Sequence, residues 1–331
     1  MDILSFCSES RVLIVAGKGG VGKTTVAATL AQMAADAGRS VLVVELEGKP
    51  GIHVAYGKEG PLSYLGSELL SPASGPRDGG RPPSGTVRGR WITPDDALLE
   101  YLSDHGLERV SRRLLSSGLV DVVSTAIPGI RDVLVLGKIK QLEREGIADL
   151  IVVDAPATGH AVTFLTSAAG LMDAARSGPV RAQAADVVEL LTDPARCRVI
   201  LVSLPEEMPV SETVEAAYVL EDRAGVRLGP VVVNGYDVVP DALRRPVAEA
   251  AADAGVTLSA ASAAALDAAR AFRLRRFELQ AEQVERLGRE LPLPQLHLPR
   301  LDAEQIGPAE LAILVDALAS EVAALEPSGA R

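Results

Sequence analysis

Short apolar runs alternate with longer alanine- and leucine-rich stretches along most of the chain. The short runs are rich in Val, Ile and Leu without polar alternation, which is typical of strands buried on both faces. The longer stretches have the length and composition of helices. The alternation predicts an α/β fold with a doubly wound, mostly parallel sheet covered by helices on both faces. The predicted strands are Arg11–Ala16, Val41–Leu46, Leu150–Asp154, Arg198–Ser203 and Pro230–Asn234, with a shorter sixth at Gln295–Leu298.

This rhythm is interrupted between residues 61 and 146. Residues 71–91 begin with a Pro-, Gly- and Ser-rich stretch that has too few apolar side chains to form a core, so we predict a mobile loop. Helices are expected after it, at Asp95–His105, Leu107–Leu115 and Arg131–Glu145. No internal repeat is visible. We therefore predict one domain over residues 1–331 with a helical subdomain inserted at 61–146.

The last apolar pattern predicts a helix at Pro308–Leu325. Its apolar side chains recur at helical spacing on one stripe, whereas its charged residues are mostly acidic. A helix that binds anionic lipid carries Lys and Arg on its polar face. We therefore expect this helix to pack against the sheet.

Composition narrows the function classes. The 331 residues carry a net charge of −11, which disfavours a nucleic-acid partner. The sequence shows no run of eighteen apolar residues and no secretory leader, so we expect no direct membrane insertion and a soluble, cytoplasmic protein. The two cysteines, Cys7 and Cys197, lie far apart and suggest neither a disulfide framework nor a zinc site.

The strongest chemical signal is a phosphate-binding loop that follows the first predicted strand and precedes a predicted helix. Its glycines allow backbone N–H groups to face phosphate oxygens at the positive end of the helix. Lys23 is predicted to reach the β- and γ-phosphates of ATP, and Thr24 to ligate Mg²⁺. The predicted nucleotide-binding residues of this loop are Gly17, Gly19, Gly20, Val21, Gly22, Lys23, Thr24 and Thr25.

A second lysine, Lys18, lies directly after the first glycine of the loop. We predict that its ammonium group stabilises charge on a nucleotide bound by a facing subunit, as an arginine finger does; the alternative is a solvated surface lysine. The loop resembles that of the SIMIBI group of NTPases, which includes the MinD and ParA proteins. The resemblance implies a dimer with nucleotide bound between its subunits.

Asp154 ends a predicted buried strand, and its carboxylate is predicted to hold Mg²⁺. The segment from Asp154 to His160 keeps a Pro-x-Thr-Gly-His core and resembles the Asp-Thr-Ala-Pro-Thr-Gly-His signature of the arsenite-pump and guided-entry ATPases. It departs from that signature at Ala155 and Ala157. In those families the segment is a switch between the γ-phosphate and the helical subdomain.

The same resemblance extends toward the end of the chain. Asn234 lies where this family places an asparagine that contacts adenine, and Pro299 lies in a weaker match to its late adenine-side loop. An amide side chain offers both a donor and an acceptor to the edge of the base. The nearest relatives are expected among single-domain bacterial, anion-transporting members.

The departures from the family affect the expected mechanism. Glu47 replaces the aspartate that positions the attacking water, and it is predicted to act as the catalytic base. Glu45, two residues earlier, is a competitor for this role. The sequence has no CxxC zinc clamp, and two isolated cysteines do not provide the clustered thiolates that As(III) needs. An arsenite-pump role is therefore not expected.

These residues together predict an ATPase that uses ATP and Mg²⁺ as a dimeric switch. The predicted partner is a second copy of the chain or a paralogous ATPase subunit. A protein client, not identified by the sequence, is a further predicted partner. Two alternatives remain open. One is a nucleotide-binding regulatory subunit that acts beside a paralogous ATPase, and the other is a spatial regulator like MinD or ParA.

Overall fold

The computed structural model describes residues 1–46, 51–72, 84–104, 106 and 129–325. These residues form an eight-stranded sheet with the order β3-β4-β2-β5-β1-β6-β7-β8. All neighbouring strands are parallel except β3 and β4. The strands are β1 (Val12–Gly17), β2 (Ser40–Glu45), β3 (Ser67–Leu70), β4 (Thr86–Trp91), β5 (Leu150–Ala157), β6 (Cys197–Ser203), β7 (Val231–Val233) and β8 (Gln295–His297).

Helices cover both faces of this sheet. A π-helical segment, Leu220–Ala224, directly follows the helix Glu207–Val219. The described helices are α1 (Ile3–Ser8), α2 (Lys23–Asp36), α3 (Ile52–Ala55), α4 (Pro94–Asp104), α5 (Ile130–Arg144), α6 (Thr158–Ala174), α7 (Pro179–Thr192), α8 (Glu207–Val219), α9 (Asp241–Arg244), α10 (Val247–Asp253), α11 (Ala260–Glu290) and α12 (Pro308–Ala324).

The core has two layers because successive residues of each strand point to opposite faces. In β2, Val41 and Val43 pack with α2 and α12, whereas Leu42 and Val44 pack with α5, α6 and α7. Both layers consist mainly of Val, Leu, Ile and Ala. This two-sided burial explains why the central strands show no polar alternation, and the predicted doubly wound α/β fold is confirmed.

All six predicted strands are present, with ends shifted by a few residues at most. The sequence missed β3 and β4, which lie in the segment that we predicted as a helical insertion. The mobile-loop prediction is wrong at residues 86–91, because β4 pairs with β2 along its whole length. Only Val87 and Gly89 of β4 are buried, so its arginines and glycine hid the strand pattern. Residues 73–83 and the predicted helix Leu107–Leu115 lie outside the described residues.

The prediction for the C-terminal helix is confirmed. Leu311, Leu314 and Leu318 of α12 are buried in the same layer as α2. The helix also protects the sheet at its exposed edge, since Glu321 accepts a hydrogen bond from the backbone N–H of His297 at 2.9 Å. In the part of the chain that the structure describes, no helix combines the length and apolarity needed to cross a bilayer.

Candidate nucleotide-binding site

The predicted phosphate-binding loop lies between the end of β1 and the start of α2, at the carboxyl edge of the sheet. α2 begins at Lys23, and its N-cap residue Gly22 adopts the left-handed conformation with φ of 91°. The loop therefore presents the N-terminus of a 14-residue helix to the space above the sheet. Such an end, with its free N–H groups, attracts phosphate.

Two glycines of this loop are required by close packing. A Cβ on Gly17 would lie 2.4 Å from the Val202 carbonyl oxygen, and one on Gly22 would lie 2.3 Å from Asn234 Nδ2. Gly20 has φ of +88° and no described atom within 4 Å of the position that a Cβ would take. The loop is thus fixed at its base and open at its tip, as a phosphate cradle requires.

Thr24 and Asp154 meet directly in front of this loop. The Thr24 hydroxyl donates a hydrogen bond to Asp154 Oδ2 at 2.6 Å. Beyond Asp154 the pairing of β5 with β1 is irregular, so that Gly17 lies opposite Ala157. Bulges of this kind are common beside active sites, where they redirect side chains. A hydroxyl and a carboxylate placed together are the hard oxygen ligands that Mg²⁺ prefers, so the residues fit the predicted metal.

The two lysines of the loop share one network. Lys23 Nζ donates to the Lys18 carbonyl oxygen at 3.1 Å, and Lys18 Nζ pairs with Glu212 Oε1 of α8 at 2.5 Å. Lys18 therefore contacts a carboxylate of its own chain, and its proposed action on a facing subunit stays a prediction. Sequence reasoning did not identify Glu212 as the partner, because only the fold brings α8 beside the loop.

Glu45 is a second carboxylate at this site. It is 4% exposed and is paired in register with Asp154 on the neighbouring strand. Glu45 Oε1 accepts a hydrogen bond from the backbone N–H of Ile52 at 2.9 Å, while burial raises the pKa of its carboxyl group. Glu45 thus ties Ile52 back to the end of β2. Glu47 itself lies outside the described residues.

Gly51, next to Ile52, packs tightly on Thr24. A Cβ on Gly51 would lie 2.5 Å from Thr24 Cγ2. We therefore expect Gly51→Ala to turn the Thr24 side chain and weaken binding of Mg²⁺-ATP about tenfold, measured by fluorescence titration with a labelled ATP analogue. Gly170→Ala is the control, because that exposed helical position has open space around it. Equal affinities of the two variants would contradict this role of Gly51.

Asn234 and Pro299 lie on the opposite side of the loop from Glu45. Asn234 Nδ2 donates to the Val21 carbonyl oxygen at 2.8 Å, so the predicted adenine-contacting residue also fixes the phosphate loop. Pro299 follows β8, and just beyond the parallel pairing of β7 with β8 Tyr236 N donates to the Leu298 carbonyl oxygen at 2.9 Å. The carboxyl end of β7 thus places Asn234 at the loop, and Pro299 follows the neighbouring strand β8; contact of either residue with adenine stays a prediction.

The two cysteines are buried on opposite faces of the sheet, Cys7 with α2 and Cys197 with the α5–α7 layer. Burial raises the pKa of each thiol to about 12. Since the thiolate is the reactive form, we expect a disulfide reagent to label neither cysteine of the native chain and both after unfolding. Rapid labelling of the native chain, followed by absorbance of the released thiol, would contradict this burial.

Comparisons with known proteins agree with this site. Residues 12–49 match the family model for the CobQ/CobB/MinD/ParA nucleotide binding domain. The chain is 39% identical over 236 residues to ATPase BagA of Mycobacterium tuberculosis, an alignment that covers 69% of this chain and 65% of that protein. The chain therefore spans about 65% of the length of such relatives.

More distant similarity points to the same group. The putative arsenical pump-driving ATPase of Halobacterium salinarum is 30% identical over 245 residues, covering 68% of this chain and 35% of that protein. An arsenical pump-driving ATPase of Escherichia coli is 28% identical over 235 residues, with 71% and 36% covered. With the phosphate loop, the Thr24–Asp154 pair and the sheet order already described, these similarities support an ArsA-type assignment, because the chain resembles the P-loop ATPases of that family.

Proposed function

We propose that this chain hydrolyses ATP with Mg²⁺ and acts as a dimeric switch that rearranges its helical layer. The observation that carries the proposal is the Thr24–Asp154 contact in front of the phosphate loop. It joins the two residue types that hold Mg²⁺ in P-loop NTPases at the edge of the sheet where nucleotides bind. Lys23 begins α2 beside this pair, in position to bind the β- and γ-phosphates.

The residues divide the chemistry between them. The backbone N–H groups of the loop and the Lys23 ammonium bind and orient the phosphates, while Thr24 and Asp154 hold the metal. Mg²⁺ held by these two residues would neutralise the charge of the phosphate oxygens. Glu47 orients the attacking water and accepts its proton, and Glu45 fixes Ile52, five residues further along the chain. Asn234 and Pro299 form the adenine side of the site.

Catalysis in this proposal needs a second subunit. Lys18 is 38% exposed and Glu212 is 32% exposed, so their ion pair is partly solvated and inexpensive to break. Partly exposed ion pairs contribute about 0.2–1 kcal/mol to stability. Breaking the Lys18–Glu212 pair therefore costs little compared with the attraction of an ammonium group to a nucleotide γ-phosphate. When two subunits face each other, Lys18 leaves Glu212 and stabilises charge on the nucleotide of the facing subunit.

The switch reaches the helices through β5. β5 ends at Ala157 and α6 begins at Thr158, so no linker separates Asp154 from the helical layer. Gly129, at the start of α5, packs on α6, since a Cβ there would lie 3.2 Å from Ser167 Cβ. A displacement of Asp154 on nucleotide hydrolysis would therefore move α6 and, with it, α5. Any protein client is proposed to bind this moving layer.

The proposal is tested by the specific rate of phosphate release at protein concentrations spanning three decades, with and without a Mg²⁺ chelator. We expect a specific rate that rises with concentration, is lost on chelation and is lost in Asp154→Asn. Nucleotide binding without hydrolysis at every concentration would overturn the self-sufficient dimer and favour a regulatory subunit of a paralogous ATPase. Unchanged activity in the chelator would overturn the role of Mg²⁺.

A further inference from the structure

A helical arm follows directly after Asn234. We define it as residues 237–276, which include α9, α10 and the first half of α11. No side chain of the arm is buried, although the arm is rich in alanine, valine and leucine. Neither core layer contains a residue of the arm. Helices gain most of their stability by burying an apolar face, and the helices of the arm bury little of theirs. Their exposed apolar side chains are therefore suited to contact with another molecule.

The arm is nevertheless held in one shape. Arg270 of α11 donates to the carbonyl oxygens of Leu243 at 2.8 Å and Arg244 at 3.1 Å, which fixes α9 against α11. Between α9, α10 and α11 lies a groove of about 440 Å³. Val256 and Leu266 line it and are 53% and 48% exposed. Its other apolar lining includes Leu243, Val247, Leu258 and several alanines.

The charged residues around the groove indicate which kind of ligand it would bind. Residues 260–276 contain four arginines and one acid, in a chain with a net charge of −11. Arg245, Arg270 and Arg273 line the groove, whereas no acidic side chain in the described part of the chain does; Arg245 pairs with Glu249 and Asp253 of the same arm. Arg275 pairs with Glu278 at 3.1 Å, but within the described ranges Arg273 and Arg276 have no carboxylate partner. An apolar groove lined by arginines, of which Arg273 has no carboxylate partner among the described residues, complements a helix with an apolar stripe flanked by Asp or Glu.

We infer that the groove of the helical arm binds an acidic amphipathic helix of another protein. A second copy of the arm fits less well, because packing α11 on α11 would bring two arginine-rich stretches together. The amphipathic α12 of this chain cannot fill the groove either, since its apolar stripe is already buried on α2. The inference does not depend on ATP hydrolysis, because the arm lies outside the residues assigned to the nucleotide.

The test uses the full chain and three synthetic 18-residue peptides, followed by fluorescence anisotropy. The first peptide has leucines at i, i+3, i+4 and i+7 with flanking glutamates; the second replaces the glutamates with lysines; the third scrambles the first. We expect the first to bind with a Kd of about tens of micromolar, the second at least about tenfold more weakly, and the third not measurably. Equal binding of the three, or none, would overturn the inference.

Variants locate the binding site. Leu266→Glu is expected to weaken binding of the acidic peptide at least about tenfold, and Arg273→Glu to reverse the preference between the acidic and basic peptides. Both positions are exposed, so the fold should persist, which circular dichroism checks. Leu65→Glu, at an 82% exposed position outside the arm, is the matched control and should leave binding unchanged. If Leu266→Glu instead converts a dimer into a monomer in sedimentation while the acidic peptide does not bind, a second copy fills the groove and the inference is wrong.

Discussion

Lys18→Ala is expected to lower the maximal rate of ATP hydrolysis by about 10²- to 10³-fold, while ATP affinity changes by less than about threefold. The reason is that a cation donated across an interface acts on charge that develops during phosphoryl transfer, whereas Lys23 and the loop backbone hold the ground-state nucleotide. The two quantities are measured by phosphate release at saturating ATP and by equilibrium titration with a labelled nucleotide.

Glu212→Gln provides the matched control for this prediction. It removes the carboxylate charge that pairs with Lys18 but leaves the phosphate loop intact. We expect its rate at low protein concentration to rise by about two- to fivefold, in line with the small energy of a partly exposed pair. In a Lys18→Ala background the same change should have no effect. A Lys18→Ala variant with wild-type activity would show that Lys18 is a surface lysine held by Glu212.

The second large effect is expected at Glu47, which follows β2 in the sequence. Glu47→Gln should reduce the maximal rate by about 10²- to 10³-fold with ATP binding retained, because an amide orients water but does not accept its proton. Glu45→Gln should lower the maximal rate by less than about fivefold, since an amide oxygen can still accept the hydrogen bond from Ile52 N.

Single-turnover rates of these two variants separate chemistry from product release. Glu45→Ala supplies a further control, because it removes the acceptor of the Ile52 N–H as well as the charge. It should weaken Mg²⁺-ATP binding by releasing Ile52 and the neighbouring Gly51, which packs on Thr24. If Glu45→Gln loses the chemical step and Glu47→Gln keeps it, the assignment of the base is wrong and the buried carboxylate beside Asp154 has that role.

The central part of the fold could be predicted because its strands are buried on both faces. Runs such as Leu150–Asp154 keep their apolar character whichever way each side chain points, so the sequence reveals them directly. β4 could not be found in this way, because half of its side chains face outward and two of these are arginines. The arm was missed for the opposite reason: its helices bury no side chain, so no apolar periodicity marked them.

The site shows a similar division. The glycines, Lys23, Thr24 and Asp154 are tied to local motifs, and the structure brings Thr24 and Asp154 together across 130 positions of sequence. The partner of Lys18 is 194 positions away on α8, and no local pattern links them. The second function of Asn234, as an anchor for Val21, depends on the position of β7 beside the loop and is also invisible in the sequence.

Catalysis across a dimer interface is tested most directly by mixing two inactive variants, Lys18→Ala and Asp154→Asn. One lacks the lysine offered to the facing subunit, and the other lacks the metal ligand of its own site. In a mixed dimer one complete site remains, so an equal mixture should recover about one quarter of the wild-type rate after subunit exchange. Activity that stays at the level of the separate variants, with exchange shown by labelled subunits, would contradict catalysis across a dimer interface.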